Sequence, residues 1–297
     1  MVIVGGVKKE SGHLIDGKII NNKILLHTAQ WYITHTCNLS CKHCLSHNNF
    51  AINGHDEFYK NIEYAKKWNE LVTIKDFTIV GGEVFTHNDL DTWVHGLRDV
   101  FEDVPNFKVI TNGTLLEKYA ASFDSWFEKN IVLEVSLKRK QDIENFYEFI
   151  KRYNYAVQKH YLYDCAIYID DKLCFLVEHC TEHRPWAVKE KVKNEYKFWY
   201  NSSEDAHETC WQKYCHYFYQ GELYKCGTIV GAREFVKKYK VASNDKSIYQ
   251  HYNPIKHNDN NLQEKIKSLN HAIPQCSRCP INSPNIDLSL DNKKILP

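Results

Sequence analysis

"WYITHTCNLSCKHC" spans residues 31–44. The first six residues are rich in aromatic and β-branched side chains and predict a strand. Directly after them come Cys37, Cys41 and Cys44, at the spacing C-x3-C-x2-C. Thiolates so placed can fold round one soft metal centre. A cubane iron–sulfur cluster takes four thiolates. Three leave one iron open, and an open position separates catalytic from structural metal sites. Spacing alone also allows a structural zinc with His35, His43 or His47 as fourth ligand.

Outward from this stretch the chain alternates. "FTIVGG" (77–82), "FKVITNG" (107–113) and "IVLEVSL" (131–137) also read as strands, and each of the four is followed by a helical pattern. Phe58, Ile62 and Ala65 share one helix face, and so do Leu90, Trp93, Leu97 and Phe101. Leu116, Tyr119, Phe123 and Phe127 repeat the pattern, as do Ile143, Phe146 and Ile150. Strand–helix repetition predicts an α/β fold with a parallel sheet. Residues 31–185 are too few for a complete eight-unit barrel of about 250 residues. They fit an open barrel of about six strands, with 165–170 and 173–179 as the last two.

In parallel sheets ligands sit at the C-terminal ends of strands. There the first strand offers the three thiols and the second Gly81, Gly82 and Glu83. Paired glycines let backbone approach a ligand, and Glu83 supplies a carboxylate. The third strand ends at Thr111 and Asn112, and the fourth carries Ser136 and Lys138. Taken singly, these are a turn, an Asn-Gly turn and a solvated lysine; their succession is the informative feature.

"CNLSCKHC", "GGEVFTHNDL", "TNGT" and "VSLK" together resemble the radical S-adenosylmethionine (SAM) superfamily. The resemblance covers residues 31 to about 140 and implies a partial (β/α)6 barrel. It implies a [4Fe-4S] cluster on Cys37, Cys41 and Cys44, with SAM chelating the open iron. Gly82 and Glu83 would hold the methionyl ammonium. Ser136 and Lys138 would reach the ribose or carboxylate, and the backbone near His43 would pass the adenine. Val84 stands where the family usually has proline. The implied chemistry is reductive cleavage of SAM to a 5′-deoxyadenosyl radical, with an electron from a flavodoxin or ferredoxin, then hydrogen abstraction from a substrate.

After residue 185 the rhythm stops. "PWAVKEKVKNEYKFWY" (185–200) reads as a helix, "ETCWQKYCHYFYQGELYKCG" (208–227) as a hairpin turning near Gly221, and 242–261 as a polar loop before a short helix at 262–270. Cys210, Cys215, Cys226, Cys276 and Cys279 lie here. A pair on a hairpin plus a distant C-x2-C can close a four-thiolate site, for iron–sulfur or for zinc. The region is similar to the shortened "twitch" tail of radical SAM enzymes. That resemblance implies one auxiliary [4Fe-4S] cluster on Cys210, Cys226, Cys276 and Cys279, with Cys215 as a possible substitute for Cys210. The expected organisation is an N-terminal hairpin extension (1–30), the barrel (31–185) and an auxiliary-cluster domain of β-hairpin plus helix (186–297). Cys165 and Cys174 are read as strand-packing thiols.

Composition is that of an ordinary soluble globular protein: 297 residues, 43% hydrophobic, 25% charged, net charge +1. No strong field points to nucleic acid or an anionic membrane. No run approaches the roughly 18 apolar residues of a span. The N-terminus lacks the order of a secretory signal, so the chain is expected in the cytoplasm, with its eleven cysteines reduced. A single auxiliary cluster resembles that of twitch-bearing oxidoreductases acting on small cyclitols. The expected substrate is therefore a small polar metabolite, oxidised or rearranged. The alternatives are maturation of a ribosomally made peptide, and a non-catalytic zinc-binding module.

Overall fold

The computed structural model describes residues 16–180 and 188–281 in full, with the backbone of four two-residue strands outside them: Ile3–Val4, Val7–Lys8, Glu182–His183 and Ile286–Asp287. A hairpin opens the fully described part. β1 (Ile19–Ile20) turns through Asn21 and Asn22, both at positive φ, into β2 (Lys23–Tyr32). Asparagine tolerates that conformation. β2 passes unbroken through residues 30 and 31.

The predicted βα units follow. They are α1 (Phe58–Leu71), β3 (Val72–Val80), α2 (Leu90–Val100), β4 (Asn106–Thr111), α3 (Phe123–Glu128), β5 (Ile131–Leu137) and α4 (Lys140–Ile150). The third helical pattern begins as a tighter turn, Leu116–Ser122, before α3. β2, β3, β4 and β5 pair in parallel, in chain order. Strands and helices meet in one core. Trp31, Phe77, Phe107 and Leu133 come from the sheet, and Trp68, Trp93, Trp126 and Phe146 from helices or helix ends, all essentially inaccessible. Removing one such aromatic ring costs about 3–5 kcal/mol.

The alternate residues face the other side. That face is unusually polar for a parallel sheet. Thr28, Gln30, Asp76, Thr78, Lys108 and Glu134 are all buried, and Lys108 Nζ lies 3.0 Å from Glu134 Oε2.

Beyond α4 the structure corrects four expectations. β6 (Tyr155–Gln158), β7 (Cys165–Ile169) and β8 (Lys172–His179) form a meander in which only β8 is parallel to β5. Residues 165–170 therefore supply no parallel barrel strand. Asp170 and Asp171, both at positive φ, close a two-residue turn, and parallel pairing needs a crossover of a dozen residues or more.

The described part of 185–200 is a hairpin, β9 (Glu190–Val192) and β10 (Glu195–Lys197), with Lys193 at positive φ. Its apolar residues lack helical spacing. Residues 185–187 lie outside the described part. After α5 (Ser203–Glu208), the hairpin turning at Gln220 and Gly221 forms as β11 (Cys215–Tyr219) and β12 (Glu222–Tyr224). However, β11 pairs in parallel with the free edge of β2. The main sheet thus has six adjacent parallel strands, β11-β2-β3-β4-β5-β8, and draws on both sides of residue 186.

α6 (Gly227–Lys238) and then α7 (Ser243–Gln250) follow, the latter inside the stretch read as loop. No apolar period marks α7. It is held by buried Tyr249 and by Asp245, whose carboxylate lies 2.6 Å from Arg278 Nε. β13 (Ile255–Lys256) pairs with β12 at the edge, and α8 (Leu262–Ser268) matches the predicted short helix. Among the described residues no helix is long and apolar enough to cross a membrane.

Candidate functional site

β2 ends where its neighbours end, and the cysteine loop leaves from that edge. Ile33 N–H still donates to Val80 O at 2.9 Å, and His35 N–H to Gly54 O at 2.8 Å. The Cys37, Cys41 and Cys44 thiols are free and partly accessible. Burial raises the Cys37 pKa far above the ordinary thiol range and lifts Cys41 to about 11; charge on the neighbouring thiols would add to both. Thiols release protons when they take up a metal centre.

Gly81 and Gly82 approach the chain itself. Gly82 N–H donates to Thr34 O at 2.7 Å and Glu83 N–H to Thr36 O at 2.9 Å. A Cβ on Gly82 would sit 2.4 Å from Thr36 O, and one on Gly81 2.6 Å from Thr34 O. The glycines let the second strand end lie flat on the backbone that enters the cysteine loop, which corrects the reading of close approach to a ligand.

Glu83 is buried, and its carboxylate is largely occupied. Oε1 accepts from Thr111 Oγ1 (2.7 Å) and Phe85 N–H (3.1 Å), and Oε2 from Asn112 N–H (2.6 Å). Burial raises its pKa and these donors oppose the rise. A carboxylate has about four acceptor directions, so one remains. Asn112 extends the network. Its Nδ2 donates to Asn38 Oδ1 at 2.9 Å, and Asn38 Nδ2 donates to Thr114 Oγ1 at 2.7 Å. Asn38 sits between two predicted ligands and escaped the sequence reading; the clue was an amide inside the cysteine motif facing the amide of "TNGT".

Ser136 and Lys138 stand at the end of β5. Ser136 bonds Glu178, its register partner on β8. Burial works against the charge on Lys138, but the Cys180 and Cys41 sulfurs beside it outweigh that and raise its pKa. Cys180, which fits no ligand spacing, is thus brought to the cysteine loop. Of the three histidines offered for zinc, His35 and His43 are engaged elsewhere. His35 lies between the Tyr32 and Tyr219 hydroxyls (3.1 and 3.2 Å). His43, at positive φ, puts Nδ1 2.8 Å from Val188 O. His47 is buried among Phe50, Phe198 and Phe235.

A second site lies between α5, α6, α7 and the 274–278 turn. Cys210, Cys226, Cys276 and Cys279 line one small cavity with Lys225 and Tyr249. Cys215 does not line it. It is 1% exposed on β11, within the apolar cluster of Tyr32, Val80 and Tyr217. The tail thiols suit a soft metal centre, and the buried Tyr249 hydroxyl, without a partner among the described residues, leaves a donor for it. Among the described residues no three His, Cys, Asp or Glu side chains lie close enough to share a single metal ion. A tetrahedral zinc, with Zn–S bonds of about 2.3 Å, needs its sulfurs within about 4 Å of one another. A cubane binds its thiolates at separate irons and needs a wider set.

No protein-family model matches the chain. Over 112 residues the chain is 29% identical to the antilisterial bacteriocin subtilosin biosynthesis protein AlbA of Bacillus subtilis (strain 168). The match takes in 37% of this chain and 23% of that protein. Among solved structures, Streptococcus suis SuiB bound to S-adenosylmethionine gives a TM-score of 0.31 at 17% identity, over 42% of this chain and 28% of that one. Native anSMEcpe with bound AdoMet and Cp18Cys peptide gives 0.33 at 17% identity, over 42% and 40%. Likenesses this slight decide nothing about the fold.

Proposed function

We propose that the chain is a radical SAM enzyme that modifies a peptide. The carrying observation is the junction of three strand ends. Asn38, Glu83, Thr111 and Asn112 lock the three-thiol loop onto the C-terminal edge of the parallel sheet. Cys37, Cys41 and Cys44 would hold a [4Fe-4S] cluster, which with SAM supplies a carbon radical for hydrogen abstraction. The free acceptor direction of Glu83 suits the methionyl ammonium. Lys138 and Ser136, across the edge, suit its carboxylate and ribose, and the left-handed backbone at His43 the adenine. Cys210, Cys226, Cys276 and Cys279 would hold a second [4Fe-4S] cluster, making the tail a twitch-type domain, and the six parallel strands would form a partial (β/α)6 barrel.

The similarity to a bacteriocin biosynthesis protein favours a peptide over the small polar metabolite. The test is anaerobic reconstitution followed by SAM and dithionite. About eight irons per chain and release of 5′-deoxyadenosine are expected. Colourless protein carrying zinc would sink the reading. Faster SAM cleavage with a small cyclitol than with any precursor peptide would sink the peptide assignment alone.

A further inference from the structure

Tyr249 faces the four-thiol cavity from α7. Its ring packs on Phe198 with centroids 5.3 Å apart, and the residue is 1% exposed. Its hydroxyl has no hydrogen-bond partner among the described residues. Buried hydroxyls are nearly always satisfied, and a phenol O–H is a competent donor. Nor is Tyr249 free to swing elsewhere. Asp245, one turn earlier, is paired with Arg278, the neighbour of Cys279. Gln275, the neighbour of Cys276, donates to Ile248 O at 2.7 Å. The helix bearing the phenol is therefore fastened on both sides to the segment bearing two of the thiols.

The same cavity holds a buried lysine. Lys225 is 2% exposed, and its Nζ meets the carbonyls of Lys213 (3.4 Å) and Leu269 and the ring Nε2 of His207 (3.2 Å). Three acceptors match the three donors of an ammonium.

We propose that Tyr249 donates its hydroxyl to a sulfur of the cluster in this cavity, and that it and Lys225 raise that cluster's reduction potential. This rests on the four-thiolate reading above. One-electron reduction makes a cluster more negative, and a donor or a cation beside its sulfurs stabilises the reduced form. Both are positioning residues that act through the cluster.

The experiment compares wild type, Tyr249→Phe, Lys225→Met and Cys276→Ala, each reconstituted anaerobically. Iron is counted, and the reduced-cluster paramagnetic signals are followed in a potentiometric titration. Cys276→Ala identifies which wave belongs to this cavity. Tyr249→Phe, which keeps the ring and its packing, is expected to retain about eight irons and move that wave to lower potential while the other wave stays. Lys225→Met is expected to move the same wave in the same direction. Full iron with an unmoved wave in Tyr249→Phe would overturn the proposal and leave the four-thiolate reading standing. Undiminished iron in Cys276→Ala would overturn that reading, and the proposal with it.

Discussion

Asn112 N–H donates to Glu83 Oε2 at 2.6 Å, joining the ends of β3 and β4 across 29 positions of sequence. With Thr111 and Phe85 it makes Glu83 a buried clasp between two strand ends. Asn112 passes the constraint to Asn38, inside the cysteine motif. The site's geometry therefore depends on a carboxylate that touches no cysteine through a hydrogen bond.

Glu83→Gln replaces one acceptor oxygen by an NH2 group facing donors. Leaving a buried donor unpaired costs about 1–3 kcal/mol. The variant should unfold at lower denaturant concentration and, after reconstitution, bind SAM more weakly. Urea unfolding and equilibrium dialysis check the two effects.

Gly82→Ala drives a methyl toward Thr36 O, 2.4 Å from the ideal Cβ position. The backbone must shift, and overpacking of this kind costs about 1–3 kcal/mol. The shift falls one residue before Cys37. The variant should fold yet load about four fewer irons, which an iron assay against wild type measures.

The thiols should divide by site. Cys41→Ala should lose about four irons and release no 5′-deoxyadenosine. Cys276→Ala should lose about four and still release it. Cys215→Ala should keep all, because Cys215 is packed in the sheet away from the cavity. A loss of iron in Cys215→Ala would reassign the tail ligands.

Asp56 gives a pH dependence. Oδ1 accepts from Gln220 Nε2 at 3.2 Å, Oδ2 is buried without a partner, and burial lifts the carboxyl to about 6. An unfolded aspartate titrates near 3.9. The folded value is raised, so the fold prefers the neutral acid. That contribution is present below about pH 4 and lost as pH rises through about 6. Asp56→Asn should therefore gain stability over wild type between about pH 4 and 6, and the gap should stop growing above that. Denaturant titrations at several pH values measure it.

Local features of the chain were readable without coordinates. β5 could be bounded from its composition, α1, α2 and α4 from their apolar faces, and the hairpin at Gly221 from its turn. The meander of β6–β8 and the hairpin of β9–β10 were misread because left-handed turns at Asp170, Asp171 and Lys193 use residues that also occur freely in helices and loops. α7 was missed because its support, the Asp245–Arg278 pair, comes from 33 residues away.

By itself the sequence determined what depends on near neighbours: the thiol spacing of Cys37, Cys41 and Cys44, the βα alternation and the residue types at the strand ends. Only the tertiary structure decided what depends on distant ones. It put β11 on the free edge of β2, spent Gly81 and Gly82 on backbone contact, and gathered Cys210, Cys226, Cys276 and Cys279 while leaving Cys215 in the sheet. Spacing constrains groups a few bonds apart. Which distant surfaces meet is set by the summed burial of the whole core, which no short stretch encodes.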